Sequence, residues 1–284
     1  MTVGLLTIDD LRTMPRPVVE REVRCRAQYA YLGSKIGLSR VLGRYKLFVD
    51  TDDIGFASHI ILDGFWEIWL TQFTARHVKP GMTVIDIGAN FGYYSILLAD
   101  LVTESGSCIC IEPNPRVAEK LRDSLSINGF SERSRVVACA VGDGALPNVR
   151  FFVPDHEPKN ARILVGTDLD TEPPNGKVIE VPSTSVDAIC KDIQHVDFIK
   201  IDAEGAEALI WRGMTGLLER RRPDIILEFN YLRYADPQTF ISEIRAYYSK
   251  LRYLDFDGLI KDVSAEALGQ RNLGEDWLLF LSNH

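Results

Sequence analysis

The chain has 284 residues, with 40 acidic against 32 basic side chains and a formal net charge of −8. That length can bury a sizeable core in one large domain, or in a core domain with an extension. With 46% hydrophobic and 25% charged residues the composition is that of a globular protein, which excludes disordered and fibrous classes. No apolar run reaches the roughly 20 residues needed to cross a bilayer. The most apolar stretch, IILDGFWEIWL, is broken by Asp63 and Glu67. Asp9 and Asp10 stand where a signal peptide would need a basic, then apolar, start. The expectation is a soluble, cytoplasmic protein. Its acidic balance makes nucleic acid a poor partner. The five cysteines, at 25, 108, 110, 139 and 190, form no Cys-x-x-Cys pair, and the reading is five reduced, structural thiols.

Basic residues crowd the start. Between Arg16 and Lys46 lie Arg21, Arg24, Arg26, Lys35, Arg40 and Arg44, opposed only by Glu20 and Glu22. The pattern predicts a mostly helical extension over residues 1–50, interrupted at Gly33, Gly37 and Gly43. A solvated helical face is the favoured reading, over a surface that receives an anionic substrate or makes peripheral contact with an acidic membrane.

YKLFVDTDD and SHIIL read as strands and GFWEIWLTQFTARHV as an amphipathic helix. Apolar strands and helices then alternate: TVIDIG, YYSILLADLV, CICIEP, VAEKLRDSLSING and RVVACAVGD. An irregular section follows, an insert over about residues 145–174. VIEVPSTSVDAI and HVDFIKIDAEG return to strands, GAEALIWRGMTGLLERR is a helix and PDIILEFN a strand. QTFISEIRAYYSKL is a helix, and two closing strands end the chain. This is an α/β fold, a mostly parallel sheet with helices on both faces, occupying residues 51–284.

In such a sheet the ligand binds at the carboxyl ends of the strands, near the point where strand order reverses. The first strand leaves through VIDIGANFGYYS, with Asp86 beneath a turn opened by Gly88 and Gly92. A dinucleotide fingerprint fails there, because Asn90 and Tyr93 stand where its second and third glycines would be. Acid-x-Gly-x-x-x-Gly suits a nucleoside without phosphates whose zwitterionic tail lies over the turn, which describes S-adenosylmethionine. The second strand ends in IEPNP, placing Glu112 to accept ribose hydroxyls. After the third, Ala140 and Val141 could lie against adenine and Asp143 could receive its amino group; an ordinary strand-to-loop turn fits equally well. The fourth, FIKIDAEGAE, gathers Asp202, Glu204 and Glu207 at one junction. Glu207 is explained by the positive end of the next helix and Glu204 partly so, but Asp202 is not. Lys200 alternates with Asp202 and could pair with an acid inside the fold.

VIDIGANFGYYS, IEPNP and IKIDAEGAE, in this order and spacing, resemble the FkbM family of S-adenosylmethionine-dependent methyltransferases. The resemblance covers roughly Gly64 to Asn230, including GFWE around Glu67. It implies a class I methyltransferase fold (Rossmann-like, seven-stranded) and O-methylation of a hydroxyl on a sugar, glycan or related natural product. Carried over, Asp86, Gly88, Asn90, Gly92 and Ser95 would hold the methionine end, Glu112 the ribose, and Asp202 the cleft floor. Glu67, Phe91, Pro113, Ala140 and Val141 complete the expected cofactor-binding set. Ala203 and Ser95 depart mildly from the valine and threonine common in the family.

A hydroxyl acceptor needs a base, and Asp202 and Glu204 are the candidates. The histidines at 59, 77, 156 and 195 read as surface or packing residues. A divalent metal such as Mg²⁺ is not expected; its alternative ligands would be Asp202, Glu228 and Asn230. The acceptor is expected to be a small molecule or glycan, and a basic entrance formed by Arg16, Arg21, Arg24 and Arg26 would suit a phosphate-bearing one. The competing readings are a nicotinamide-dependent oxidoreductase and a non-catalytic nucleoside- or glycan-binding module.

Overall fold

The computed structural model describes residues 4–164, 173–269 and 276–283. Its main sheet contains β4 (Thr83–Ile87), β5 (Ser107–Ile111), β6 (Ser134–Val137), β11 (Phe198–Ile201), β12 (Asp224–Phe229), β13 (Arg252–Leu254), β14 (Ile260–Asp262) and β15 (Trp277–Leu281). Their spatial order is β14-β13-β15-β12-β11-β4-β5-β6. The strands from β12 to β6 in that order run parallel, while β15, β13 and β14 add antiparallel pairings. Strand order reverses between β4 and β11, so a crevice opens at their carboxyl ends. Among the described residues eight strands stand where the family resemblance implied seven, because the turn at Gly258 folds the short β14 back on β13.

Period-two alternation divides the core cleanly. Val84, Cys108, Cys110, Phe198 and Ile226 join one apolar cluster, whereas Ile85, Ile87, Ile109, Ile111, Ile199, Ile201, Ile225 and Leu227 join another. The first face is covered by α4 (Ile68–His77), α5 (Tyr93–Val102) and α6 (Pro115–Ile127). The second is covered by α8 (Glu207–Arg212), α9 (Thr215–Arg220) and α10 (Pro237–Tyr247), with the short α7 (Val186–Ile189) and α11 (Ala265–Gly269) at its edges. The single helix expected over Gly205–Arg221 is split into α8 and α9. At the break Gly213 passes so close to β7 (Ala140–Gly142) that a Cβ would lie 1.8 Å from the Gly142 oxygen.

The amino-terminal segment departs most from expectation. Among its described residues only α1 (Ile8–Thr13) and α2 (Arg16–Arg24) are helical; β1 (Tyr29–Gly33), β2 (Ile36–Val41) and β3 (Tyr45–Asp50) form an antiparallel meander. Of the glycines that looked like helix breaks, Gly33 and Gly43 mark hairpin turns, where Gly33, Ser34, Lys35, Leu42 and Gly43 all take positive φ, while Gly37 lies within β2, paired with Tyr31 and Val49. Leu11, Val19, Val23, Leu47 and Val49 are buried in the same cluster as β4 and α5, so residues 4–50 share the core of the remainder. SHIIL lies in a helix, α3 (Ala57–Asp63), whose start is held by the Asp53 carboxylate accepting the Gly55 and Phe56 N–H groups.

The irregular section carries two strands, β8 (Asn148–Pro154) and β9 (Arg162–Ile163). With β10 (Gly176–Ser185), which follows it, they join β7 in the order β7-β10-β8-β9. RVVACAVGD, read as one strand, serves two sheets: β6 in the large one and β7 in the small one. Residues 165–172 of the expected acceptor insert lie outside the described residues. No helix among the described residues is long and apolar enough to cross a membrane.

Four cysteines are buried and Cys25 is exposed. Burial pushes the Cys139 and Cys190 thiols up to about 11, leaving little thiolate. Ellman's reagent is therefore expected to label one thiol in the native protein and all five after denaturation; rapid labelling of more than one would contradict this packing.

Candidate active site

The carboxyl ends of β4, β5, β7, β11 and β12 surround a cavity of about 290 Å³. Ten of the thirteen residues expected at the site line it: Glu67, Asp86, Gly88, Asn90, Glu112, Pro113, Ala140, Val141, Asp202 and Glu204. The other three stand behind it. Phe91 is buried against Phe56, with near-parallel rings 6.1 Å apart. Gly92, at φ 99°, lets the start of α5 pass over Leu121. Ser95 donates to Asp86 Oδ2 at 2.6 Å.

Each strand end contributes a different kind of group. The β4 turn takes positive φ at Gly88, Asn90 and Gly92, and Asn90 N–H donates to Glu112 Oε2 at 2.9 Å. Glu112 Oε1 accepts from Asn114 N–H at 2.8 Å. Each carboxylate oxygen thus keeps acceptor capacity toward the cavity. Asp86 is fully enclosed, and its Oδ1 has no partner among the described residues. Burial raises its pKa despite Lys200 nearby. Cys139 precedes Ala140 and Val141 along the wall. Asp143, considered for the adenine amino group, is exposed and instead accepts from Ala145 N–H at 3.0 Å, so it closes its own turn.

The β11 end carries the charge. Lys200, paired in register with Asp86, reaches Asp202 Oδ2 at 2.8 Å and lies 4.9 Å over the Tyr94 ring. Burial opposes its charge, but the Asp202 and Asp86 carboxylates outweigh that and hold the ammonium protonated. Burial likewise works against Asp202, yet Lys200 and then Arg233 hold it ionised below the usual carboxylate range. Glu204 differs. Burial, then the Asp202 charge, pushes it up to about 7, with Arg233 Nη2 at 3.1 Å from its Oε2 as a partial counterweight. Glu67 is also pushed up to about 7, chiefly by burial and Asp202, and accepts from Tyr94 Oη at 3.1 Å. Glu207 accepts the N–H groups of Ala203 and Gly205 and the Tyr234 hydroxyl, so it fastens the junction.

Asp202, Glu204 and Glu228 bring carboxylate oxygens within 4.8 Å of one another. The third member is thus Glu204 rather than the Asn230 expected from sequence. Asn230 donates to Asp276 at 2.7 Å and caps the following turn through Leu232 N–H. Arg233 supplies positive charge to this cluster, bridging Glu204, Glu228 and Asp276. The four arginines expected at a basic entrance stand elsewhere. Arg16 pairs with Glu20, Arg21 and Arg26 with Glu22, and Arg24 with Asp63, and none lines the cavity.

Sequence reasoning missed Tyr94, Trp66, Arg233 and Asp276, all of which line the cavity. The only trace of Arg233 was a cation five residues beyond Glu228, and nothing marked its return toward β11.

Glu67, Glu112 and Glu204 sit at about 7 in the fold against 4.5 ordinarily. Between those values the native state keeps protons that the unfolded chain has released, so stability falls as pH rises through that window. The unliganded protein is expected to melt at a lower temperature at pH 7.5 than at pH 5, and Glu112→Gln to flatten the difference. A melting temperature that climbs across this range would refute the assignment.

Residues 86–255 match the methyltransferase FkbM domain. Among curated proteins, the protein-L-isoaspartate O-methyltransferase of Aeropyrum pernix is 40% identical over 93 residues, 31% of this chain and 35% of that protein. Protein-L-isoaspartate O-methyltransferase 1 of Arabidopsis thaliana is 28% identical over 130 residues, 44% of this chain and 55% of that one. The chain thus spans about a third to a half of the length of these relatives. Among solved structures, a methyltransferase FkbM from Methylobacillus flagellatus aligns with a TM-score of 0.43 at 19% identity, covering 70% of this chain and 43% of that one. The domain match takes in the β4 turn, Glu112, the β11 junction and Arg233, well over half of the sequence, and on that ground the chain belongs to the FkbM methyltransferase family.

Proposed function

We propose that this protein is an S-adenosylmethionine-dependent O-methyltransferase acting on an uncharged hydroxyl, of the kind carried by sugars, glycans and related natural products. The donor site rests on fit. Glu112 has acceptor capacity for ribose hydroxyls, and Ala140 and Val141 offer an apolar wall for the base. The unpartnered Asp86 Oδ1 at the cavity floor offers an acceptor for the ammonium of the methionine tail. The cofactor, when bound, supplies an electrophilic methyl on a sulfonium. The chain must align an oxygen for in-line attack and take its proton, and alignment alone can supply on the order of 7–11 kcal/mol.

The observation that carries the acceptor class is Glu204, a carboxyl facing the cavity and poised at about 7. A group ionising near neutrality is suited to accept a hydroxyl proton. Asp202, locked to Lys200, is a weaker base and orients the junction. The names of the curated relatives raise a carboxylate acceptor instead. Such an acceptor would need no base and would meet the negative charges of Asp202, Glu204 and Glu228, with Arg233 and Lys200 already engaged.

Calorimetric titration tests the donor site. S-adenosylhomocysteine is expected to bind and NAD not to; binding of NAD alone would return the oxidoreductase reading to the front.

A further inference from the structure

A second groove of about 670 Å³ adjoins the cavity and shares Trp66, Glu67, Glu228 and Asp276 with it. One wall comes from α3 and the loop into α4, the other from β13, the turn after it and the start of β15. We propose that this groove is the acceptor subsite, and that it takes an uncharged hydroxylated ligand with an apolar face, such as an alkyl glycoside. The proposal rests on the methyltransferase reading and narrows it.

Continuity is the first argument. A donor in the central cavity leaves the acceptor to approach from an adjoining space, and this groove opens onto the Glu228–Arg233–Glu204 side. Its volume is suited to a small-molecule ligand.

Charge is the second. Among the described residues the groove is lined by five carboxylates and His59 and by no lysine or arginine; the nearest cations, Arg16 over Trp69 and Arg24 over Phe65, are already paired with Glu20 and Asp63. An anionic ligand, whether phosphate or carboxylate, would meet carboxylates in the walls and cations already engaged. The carboxylates are largely compensated from outside: Asp63 by Arg24 at 2.7 Å, Asp255 by Lys261, and Glu228 and Asp276 by Arg233. A cationic ligand is therefore not demanded. Paired carboxylates retain lone pairs that accept from hydroxyls.

Surface character is the third. Phe65, Trp66, Trp69, Tyr253, Phe256 and Trp277 furnish six aromatic rings to the walls. Flat apolar rings suit the C–H face of a pyranose or an alkyl chain.

Three of the four tryptophans line this groove, which makes intrinsic fluorescence a direct reporter. The experiment begins by confirming S-adenosylhomocysteine binding by calorimetry; failure there removes the donor reading itself. With that ligand saturating, the protein is titrated with hexyl glycosides of glucose, galactose, mannose and rhamnose. Hexyl glucoside 6-phosphate is the anionic counterpart. At least one neutral glycoside is expected to give a saturable fluorescence change, and the phosphate form to bind about tenfold more weakly or not at all. Phe256→Ala and Phe256→Leu, at a half-exposed position, are expected to weaken the neutral ligand, about tenfold for alanine, with S-adenosylhomocysteine affinity intact. Leu259→Ala, exposed and outside the groove, leaves both affinities unchanged. The proposal is overturned if no neutral glycoside binds while the donor analogue does. It is equally overturned if the phosphate form binds tightest, or if both Phe256 variants bind as the wild type does.

Discussion

Glu204→Gln is expected to reduce methyl transfer by roughly 10²–10⁴-fold while leaving S-adenosylhomocysteine affinity within a few-fold of wild type. Glutamine keeps the size and hydrogen-bonding shape of the side chain but cannot take a proton. In the wild type, the carboxylate form grows as pH rises through about 7, so turnover should climb across that range and then level off. The variant should lose this limb. Arg233 provides a second handle, because its guanidinium lies 3.1 Å from Glu204 and favours ionisation. Arg233→Met is therefore expected to move the limb to higher pH, and a purely structural role for Arg233 would lower the rate without moving it. A Glu204→Gln enzyme that turns over at the wild-type rate would transfer the role of base to another group. Asp202 is then the next to test, although Lys200 holds it ionised.

What could be read from sequence was what depends on local pattern. Continuous apolar runs at Val84–Ile87, Cys108–Ile111 and Phe198–Ile201 announced buried parallel strands, and the residues leaving them are the ones that meet in the cavity. Period-two alternation also related Lys200 to Asp202, the acid it pairs with. The missing parts depend on long-range pairing. Gly33 and Gly43 signal chain reversal, but hairpin or broken helix is decided by whether a partner strand lies alongside, and here Ser124 and Asn128 of the α6 region hold Phe48 and Lys46 of β3. The same holds for the insert, whose β8 pairs with β10 beyond it across residues with no regular local signature. Arg233 illustrates the limit within the site. Its role comes from three carboxylates on three different strand ends, a convergence that no single segment encodes.

Gly88→Ala is expected to destabilise the protein by about 3 kcal/mol or more and to remove S-adenosylhomocysteine binding. Two separate costs add at this position. The backbone has φ 77°, where a side chain is strained, and a Cβ would lie 1.7 Å from the main-chain oxygen of Asp202. Neither neighbour can give way cheaply. Gly88 N–H is bonded to Ile111 O at 3.0 Å and Asp202 N–H to Ile87 O at 3.1 Å, so the ends of β4, β5 and β11 are fastened to one another. Any shift that relieves the clash must separate the β4 turn from the β11 junction, the two surfaces between which the donor is proposed to lie. Gly129→Ala isolates the torsional part. It has φ 78° at the end of α6, yet nothing lies within 4 Å of its added Cβ. That variant is expected to lose about 1 kcal/mol and to keep full affinity for the donor analogue. Denaturant unfolding of the two variants, with calorimetry on each, separates strain from contact. Equal destabilisation of both would mean that β4 and β11 are not pressed together at Gly88, and the switch-point crevice would have to be drawn differently.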